Sequence, residues 1–277
     1  MVATMRGGHF HPARIPAKER QVEVHGNKKP VRDRPNALRH QPFLVVAALV
    51  LLPVLGASGD VQTELVPEMN AFIKLGKRVR LLMLADLTYG PRSWTAEGAE
   101  TVQELEIGAN VDVTLKPMLR RKVRPLSDWE RERYLWMRVG YNYVTTLGNP
   151  AEPSHENRGI FEVTTRQPLP LSRVSWAVLR NRVEFRDRNG VSFTRYRSRL
   201  TLENERTLFG KAAVPYVSAE VLYDTRYDAW NEQRYQAGVE VVLDKRWRYE
   251  VYYQRNENQR SQTRHTNQVG LVLKYYN

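Results

Sequence analysis

The fold class this sequence predicts is all-β: an antiparallel, up-and-down transmembrane β-barrel of about 12 strands, with 10 as the alternative. Three observations predict it. Apolar residues recur at every second position from Thr63 to the C-terminus, the period of a strand with two unlike faces. Many of the alternating segments run ten to thirteen residues, against about five or six in globular strands, and that is enough to cross a bilayer at a tilt. The faces also differ in chemistry. One holds Leu, Val, Ile, Ala and Tyr and the other Arg, Glu, Asn, Gln, Gly and Thr, as a wall with lipid outside and polar groups inside requires.

Ahead of the alternating region, residues 1–40 are rich in Arg, Lys, His and Pro and lack apolar periodicity, so they read as a disordered basic extension. A true start downstream, near Val31 or Leu38, is expected. Residues 41–59 have the shape of a signal peptide, with a signal-like helix at their centre. Arg39 and His40 precede a thirteen-residue apolar run, Phe43–Leu55, and Ala57-Ser58-Gly59 supplies the small residues that favour cleavage before Asp60. The run is short of the roughly 20 apolar residues of a membrane-spanning helix. An uncleaved inner-membrane anchor is the alternative reading.

Residues 60–277 form the predicted barrel. "LVPEMNAFIKL" sets Leu65, Met69, Ala71, Ile73 and Leu75 on one face, and Gly76-Lys77 is a turn. "RVRLLMLADLTY" repeats the pattern, with Val79, Leu81, Met83, Ala85, Leu87 and Tyr89. In "QELEIGANVDVTL" Leu105, Ile107, Ala109, Val111, Val113 and Leu115 oppose Glu104, Glu106, Gly108, Asn110, Asp112 and Thr114. The pattern returns near 132–145, 157–167, 174–186, 194–204, 214–224, 232–243, 247–255 and 266–276, which makes eleven segments. Single-chain bacterial barrels hold an even number, so either a twelfth strand is expected, most readily within 91–130, or the parity rule fails. Aromatics gather near strand ends, at Tyr141, Tyr143, Tyr223, Tyr227, Trp247, Tyr249, Tyr275 and Tyr276, as interfacial girdles do. The final strand alternates Val269, Leu271, Leu273 and Tyr275 almost to the last residue. A wall in lipid leaves no edge unpaired, so this strand is expected to close on the first. It resembles the C-terminal signal read by the barrel-insertion machinery, except that Asn277 follows the aromatic.

The formal net charge is +13, with 43 Lys and Arg against 30 Asp and Glu. In the main body these residues alternate with apolar ones instead of forming one basic face, so no nucleic-acid partner is expected. There is no cysteine, which excludes disulfides, thiolate metal sites and a Cys nucleophile. Of six histidines only His155 and His265 follow residue 60. Both fall in expected loops, and Ser154 next to His155 does not make a lipase-like context. Asp224 and Asp228 in "DTRYDAW" are a calcium-type carboxylate pair, though a plain polar loop reads the same way. No catalytic residue, cofactor or metal is expected, and the chain reads as a non-enzyme. The face opposite the apolar set supplies the site candidates: Arg158, Arg180, Arg182, Glu184, Arg197, Arg199, Glu203, Glu220, Glu240 and Glu250. They predict a polar lumen with a basic wall over 157–204 and an acidic wall over 216–254. Either a closed structural or binding barrel held by Arg–carboxylate ladders or a narrow channel with a transverse charge field would use such a lumen.

Several stretches together are similar to a known family: "WERERYLWMRVGYNYV", "ENRGIFEVTTRQPLP", "RYRSRLTLENER" and "VPYVSAEVLYDTRYDAWNEQRYQAGVEVVLDKRWRYEVYYQRN". They resemble the domain-of-unknown-function 2490 family of bacterial outer-membrane barrels. The likeness covers nearly all of 60–277 and is most specific at Glu220, Tyr223, Trp230, Asn231, Arg234, Gly238 and Glu250. It implies an outer-membrane barrel. The chain is expected to be a monomer in the outer membrane of a Gram-negative bacterium, with outer-membrane lipid and, during biogenesis, the barrel-insertion machinery as partners. It implies no catalytic residue, cofactor or substrate.

Overall fold

The computed structural model describes residues 62–91, 101–117, 133–147, 154–170, 174–259 and 265–277, and these form strands with no helix among them. The strands are β1 (Gln62–Lys74), β2 (Val79–Pro91), β3 (Thr101–Pro117), β4 (Arg133–Leu147), β5 (His155–Pro168) and β6 (Ser175–Arg188). They continue with β7 (Val191–Asn204), β8 (Arg206–Leu208), β9 (Lys211–Asp224), β10 (Ala229–Val242), β11 (Trp247–Asn258) and β12 (His265–Tyr276). The predicted extension 1–40, the signal segment 41–59 and cleavage before Asp60 lie outside the described residues.

Hydrogen bonding follows β1 to β7 in order, then β9 to β12, and β12 returns to β1. Eleven strands thus close a wall in which each of the eleven is hydrogen-bonded on both sides and none is an edge. All pairs are antiparallel except β1 with β12, which is parallel from Gln62 opposite Thr266 to Phe72 opposite Tyr276. An up-and-down chain reverses at each strand, so an odd number brings the first and last together pointing the same way. The even-number rule therefore does not hold for this wall. The twelfth strand exists, but β8 only continues β7. The pairs Glu203–Tyr216 and Arg206–Ala213 keep one register across the gap between them. The gap lies beside Pro215, which has no N–H to give the ladder, while on the other side the Glu205 N–H continues the β6–β7 ladder to the Val174 carbonyl at 2.8 Å.

Sequence fixes the tight turns. Asn189 and Gly190 join β6 to β7 with φ of 51° and 82°, the type I′ geometry whose twist matches the flanking strands. Between β10 and β11 the Asp244 carboxylate accepts the N–H groups of Arg246 at 2.7 Å and Trp247 at 2.9 Å.

The faces are inverted relative to a soluble protein. Met69, Met83, Ile107, Val139, Phe161, Leu179 and Leu200 are exposed on the outside, while Glu162, Glu184, Glu220 and Asp224 are buried within. Near the rims, outward aromatics cluster. Trp230 packs edge-on to Tyr196 and Tyr223, and Trp247 lies 4.9 Å from Tyr275. Tyr276 is a correction to the expected girdle. It points inward, is buried and stacks on Phe72 at 4.7 Å, because it is one residue out of phase with Tyr275. Inside the wall, Tyr252 stands between Gly238 and Gly270 on its two neighbouring strands. A Cβ at Gly270 would come within 2.0 Å of its ring.

Candidate functional site: the charged interior

The inward residues of the wall surround a cavity of about 530 Å³. Nine of the ten sequence-predicted positions border it: Arg158 on β5, Arg180, Arg182 and Glu184 on β6, Arg197, Arg199 and Glu203 on β7, Glu240 on β10 and Glu250 on β11. The tenth, Glu220 on β9, lies behind them, 2% exposed. Alternation put them there. Once Leu179, Val183, Tyr196 and Leu200 face outward, every second residue faces in.

Glu220 anchors this side. It accepts Arg180 at 3.0 Å, Arg197 at 2.8 Å, and both Nε and a terminal nitrogen of Arg199 at 3.1 and 3.0 Å. Arg182 reaches Glu162 at 2.8 Å, and Arg197 reaches Glu184 at 2.8 Å. Planar guanidinium groups suit such shared contacts because one fork serves two carboxylates. Four guanidinium groups thus share three buried carboxylates, and none is left as an isolated buried charge, which would be far costlier. Arg234 on β10 borders the same cluster and binds Glu232 at 2.6 Å.

The remaining acidic candidates find partners on other strands, and the expected acidic wall is displaced. Glu203 pairs with Arg166 at 2.7 Å and not with Arg197 or Arg199. Glu240 and Glu250 are bridged by Lys274, at 2.7 and 2.6 Å. Glu220 is not on a wall opposite the arginines, because β9 hydrogen-bonds directly to β7. The acidic wall facing them lies elsewhere, on the first three strands. Glu68 is the register partner of Asp86, and Asp86 of Glu106. All three border the cavity. The signal for them was present in the sequence, since each alternates with outward apolar residues. What the sequence lacked was the position of β1–β3 around the wall.

The other candidates do not assemble a reactive site. Ser154 Oγ accepts Arg188 Nε at 3.1 Å and does not meet His155. His155 Nδ1 lies 2.9 Å from the Tyr143 hydroxyl and 3.0 Å from that of Thr145, on the exposed outer rim. His265 lies 3.5 Å from Arg255. Asp224 is buried against Arg195 and Arg226, at 3.0 and 2.8 Å, whereas Asp228 takes the Tyr223 hydroxyl. The two carboxylates therefore face different partners. Among the described residues no group of three or more His, Cys, Asp or Glu is arranged to hold a metal.

Comparison with known proteins gives one family. The model of the family described as "Protein of unknown function (DUF2490)" matches residues 106–268. No curated protein matches the chain. Among solved structures, LpxR from Salmonella typhimurium is similar at a TM-score of 0.44 and 9% identity, over 72% of this chain and 83% of that one.

Proposed function

The chain belongs to the DUF2490 family of proteins of unknown function, and from its architecture we infer an outer-membrane β-barrel whose interior is a closed, charged chamber, without enzymatic activity. Outer-membrane placement is supported by strands of twelve to seventeen residues in the wall and by an exterior of exposed Leu, Val, Met and Phe. The non-enzymatic reading is supported by Ser154 and His155 facing away from each other.

One observation carries the closed chamber. At the end of the wall that holds Asn277, buried side chains come inward from strand after strand. They include Phe72, Leu82, Asp112, Trp136, Trp176, Val214 and Tyr276, none more than 8% exposed. Guanidinium groups lie over the aromatics there: Arg133 is 4.4 Å from the Trp136 ring centre, Arg166 4.9 Å from Trp176 and Arg248 4.2 Å from Tyr276. A wide aqueous pore would leave such residues wet, whereas cation–π packing of this kind fills the interior.

Purified protein in a planar bilayer tests this. The expected result is no sustained unitary current, with Arg197→Ala lowering thermal stability and leaving conductance near zero. Porin-sized open steps would overturn the closed chamber. A second reading, a narrow pore, is favoured by the opposed charged walls. It requires small steps whose ion selectivity changes in Arg197→Ala while stability barely moves. Membrane fractionation tests location, with recovery in the outer-membrane fraction expected.

A further inference from the structure

We propose that the chamber binds a small zwitterion, its cationic group against Glu68, Asp86 and Glu106 and its anionic group against Arg180, Arg197 and Arg199. The inference deepens the closed-chamber reading and rests on it. All six residues border the same space of about 530 Å³, within the range of small-molecule sites.

The register places the two sets at one height. From Asp86 the ladder leads through Glu106, Val144, Glu156 and Arg188 to Val191, at one end of β7. In the other direction it leads through Glu68, Val272, Glu250 and Glu240 to Val214. Val214 lies beside Glu203–Arg206, at the other end of the same wall segment. Strands of a barrel are tilted, so a ladder row climbs as it circles. The true level of Asp86 on the far wall is midway between those ends, at Arg197 and Arg199.

Glu106 is paired with Arg158 at 2.5 Å and with Asn142, and Glu68 with Asn70, so the shortage of partners falls on Asp86 in one set and on single donors in the other. Glu68, Asp86 and Glu106 are side by side on adjacent strands, and like charges directly opposite are destabilising. Among the described residues no hydrogen bond or ion pair reaches Asp86. A cationic group between these carboxylates relieves their repulsion. Across the cavity, Arg180 and Arg199 keep 22% and 18% of their side chains exposed, and Arg197 Nε is buried with no acceptor. A lone anion would satisfy the arginines but leave the carboxylates repelling one another. A lone cation would leave Arg197 Nε without an acceptor. A molecule with both charges serves both walls.

Calorimetric titration of the full chain, folded in detergent micelles at low ionic strength, tests the pairing of walls. The probes are O-phosphoethanolamine, inorganic phosphate and ethylammonium. Phosphoethanolamine is expected to bind about tenfold or more tighter than either single-charge probe, roughly the worth of one desolvated charge contact. Asp86→Asn should bring it down to the phosphate level without changing phosphate itself, and Glu106→Gln should act in the same direction. Arg199→Gln should weaken both phosphate and phosphoethanolamine, with Arg180→Gln as the substitute if that variant does not fold. Phosphate binding as tightly as phosphoethanolamine would reduce the site to an anion site and overturn the inference. Ethylammonium binding equally tightly would reduce it to a cation site, with the same consequence. A zwitterion preference untouched by Asp86→Asn and Glu106→Gln would place the ligand elsewhere. Absence of binding by every probe also overturns it, while the closed chamber still stands or falls on its conductance.

Discussion

Glu220 is the side chain on which the interior depends most, because three arginines donate to its one carboxylate. Glu220→Ala would leave those guanidinium groups without their shared counter-charge, and removing one partner of a buried pair costs about 3–5 kcal/mol. Urea unfolding in lipid vesicles should show a loss of that size. Gly270 illustrates the opposite constraint, absence of a side chain. Gly270→Ala drives a methyl group into the Tyr252 ring, and overpacking of this kind costs about 1–3 kcal/mol by the same measurement. At the β10–β11 turn, backbone N–H bonds from Arg246 and Trp247 hold the Asp244 carboxyl below the ordinary aspartate value of 3.8. A lowered folded-state value means that the turn's stabilisation is present above the unfolded value and is lost as pH falls through the folded one. A carboxyl-carbon NMR titration should place the Asp244 midpoint below 3.8.

At the scale of elements, the parallel β1–β12 pair is the feature that sets this wall apart from an even-numbered meander. Its register puts Met69 opposite Leu273, both on the outer face. The chain has no cysteine of its own, so a Met69→Cys, Leu273→Cys double variant should form one intramolecular disulfide on mild oxidation, seen as faster migration of the unreduced, denatured chain. Failure to cross-link in folded protein would refute the parallel seam. The outward face of β12 also tests the membrane itself. Leu271→Arg, near the middle of β12, should cost about 2–4 kcal/mol and Leu243→Arg, exposed just past the end of β10, about 0–1 kcal/mol, because the penalty follows depth in the bilayer. Equal costs at both positions would argue for a barrel standing in water.

For the whole molecule, closure and charge are linked. Each wall strand is paired on both sides, so interior side chains are held at fixed heights and carboxylates on distant strands come to face arginines across a narrow space. Deleting residues 269–277 removes most of the partners of both β11 and β1. The truncated chain should fail to insert and should be digested by added protease, whereas the full chain resists.

Much of this was legible in the sequence because a strand's two-residue period is local. The inward direction of Arg197 and Arg199 and the outward direction of Leu271 follow from their neighbours alone. The interior candidates were found for the same reason, each being out of phase with an apolar set. What the sequence could not carry is anything set by distant strands meeting. Tyr276 stacks on Phe72, a partner that only closure of the wall supplies. Glu203 finds Arg166, and the acidic wall facing the arginines is built from β1–β3. The odd number of wall strands, the parallel seam and the equal height of Asp86 and Arg197 depend on how tilted strands return on themselves. Sequence by itself determined which face each residue takes. Tertiary closure alone decided which residues meet, because ladder rows climb around a tilted wall and bring together positions more than a hundred residues apart.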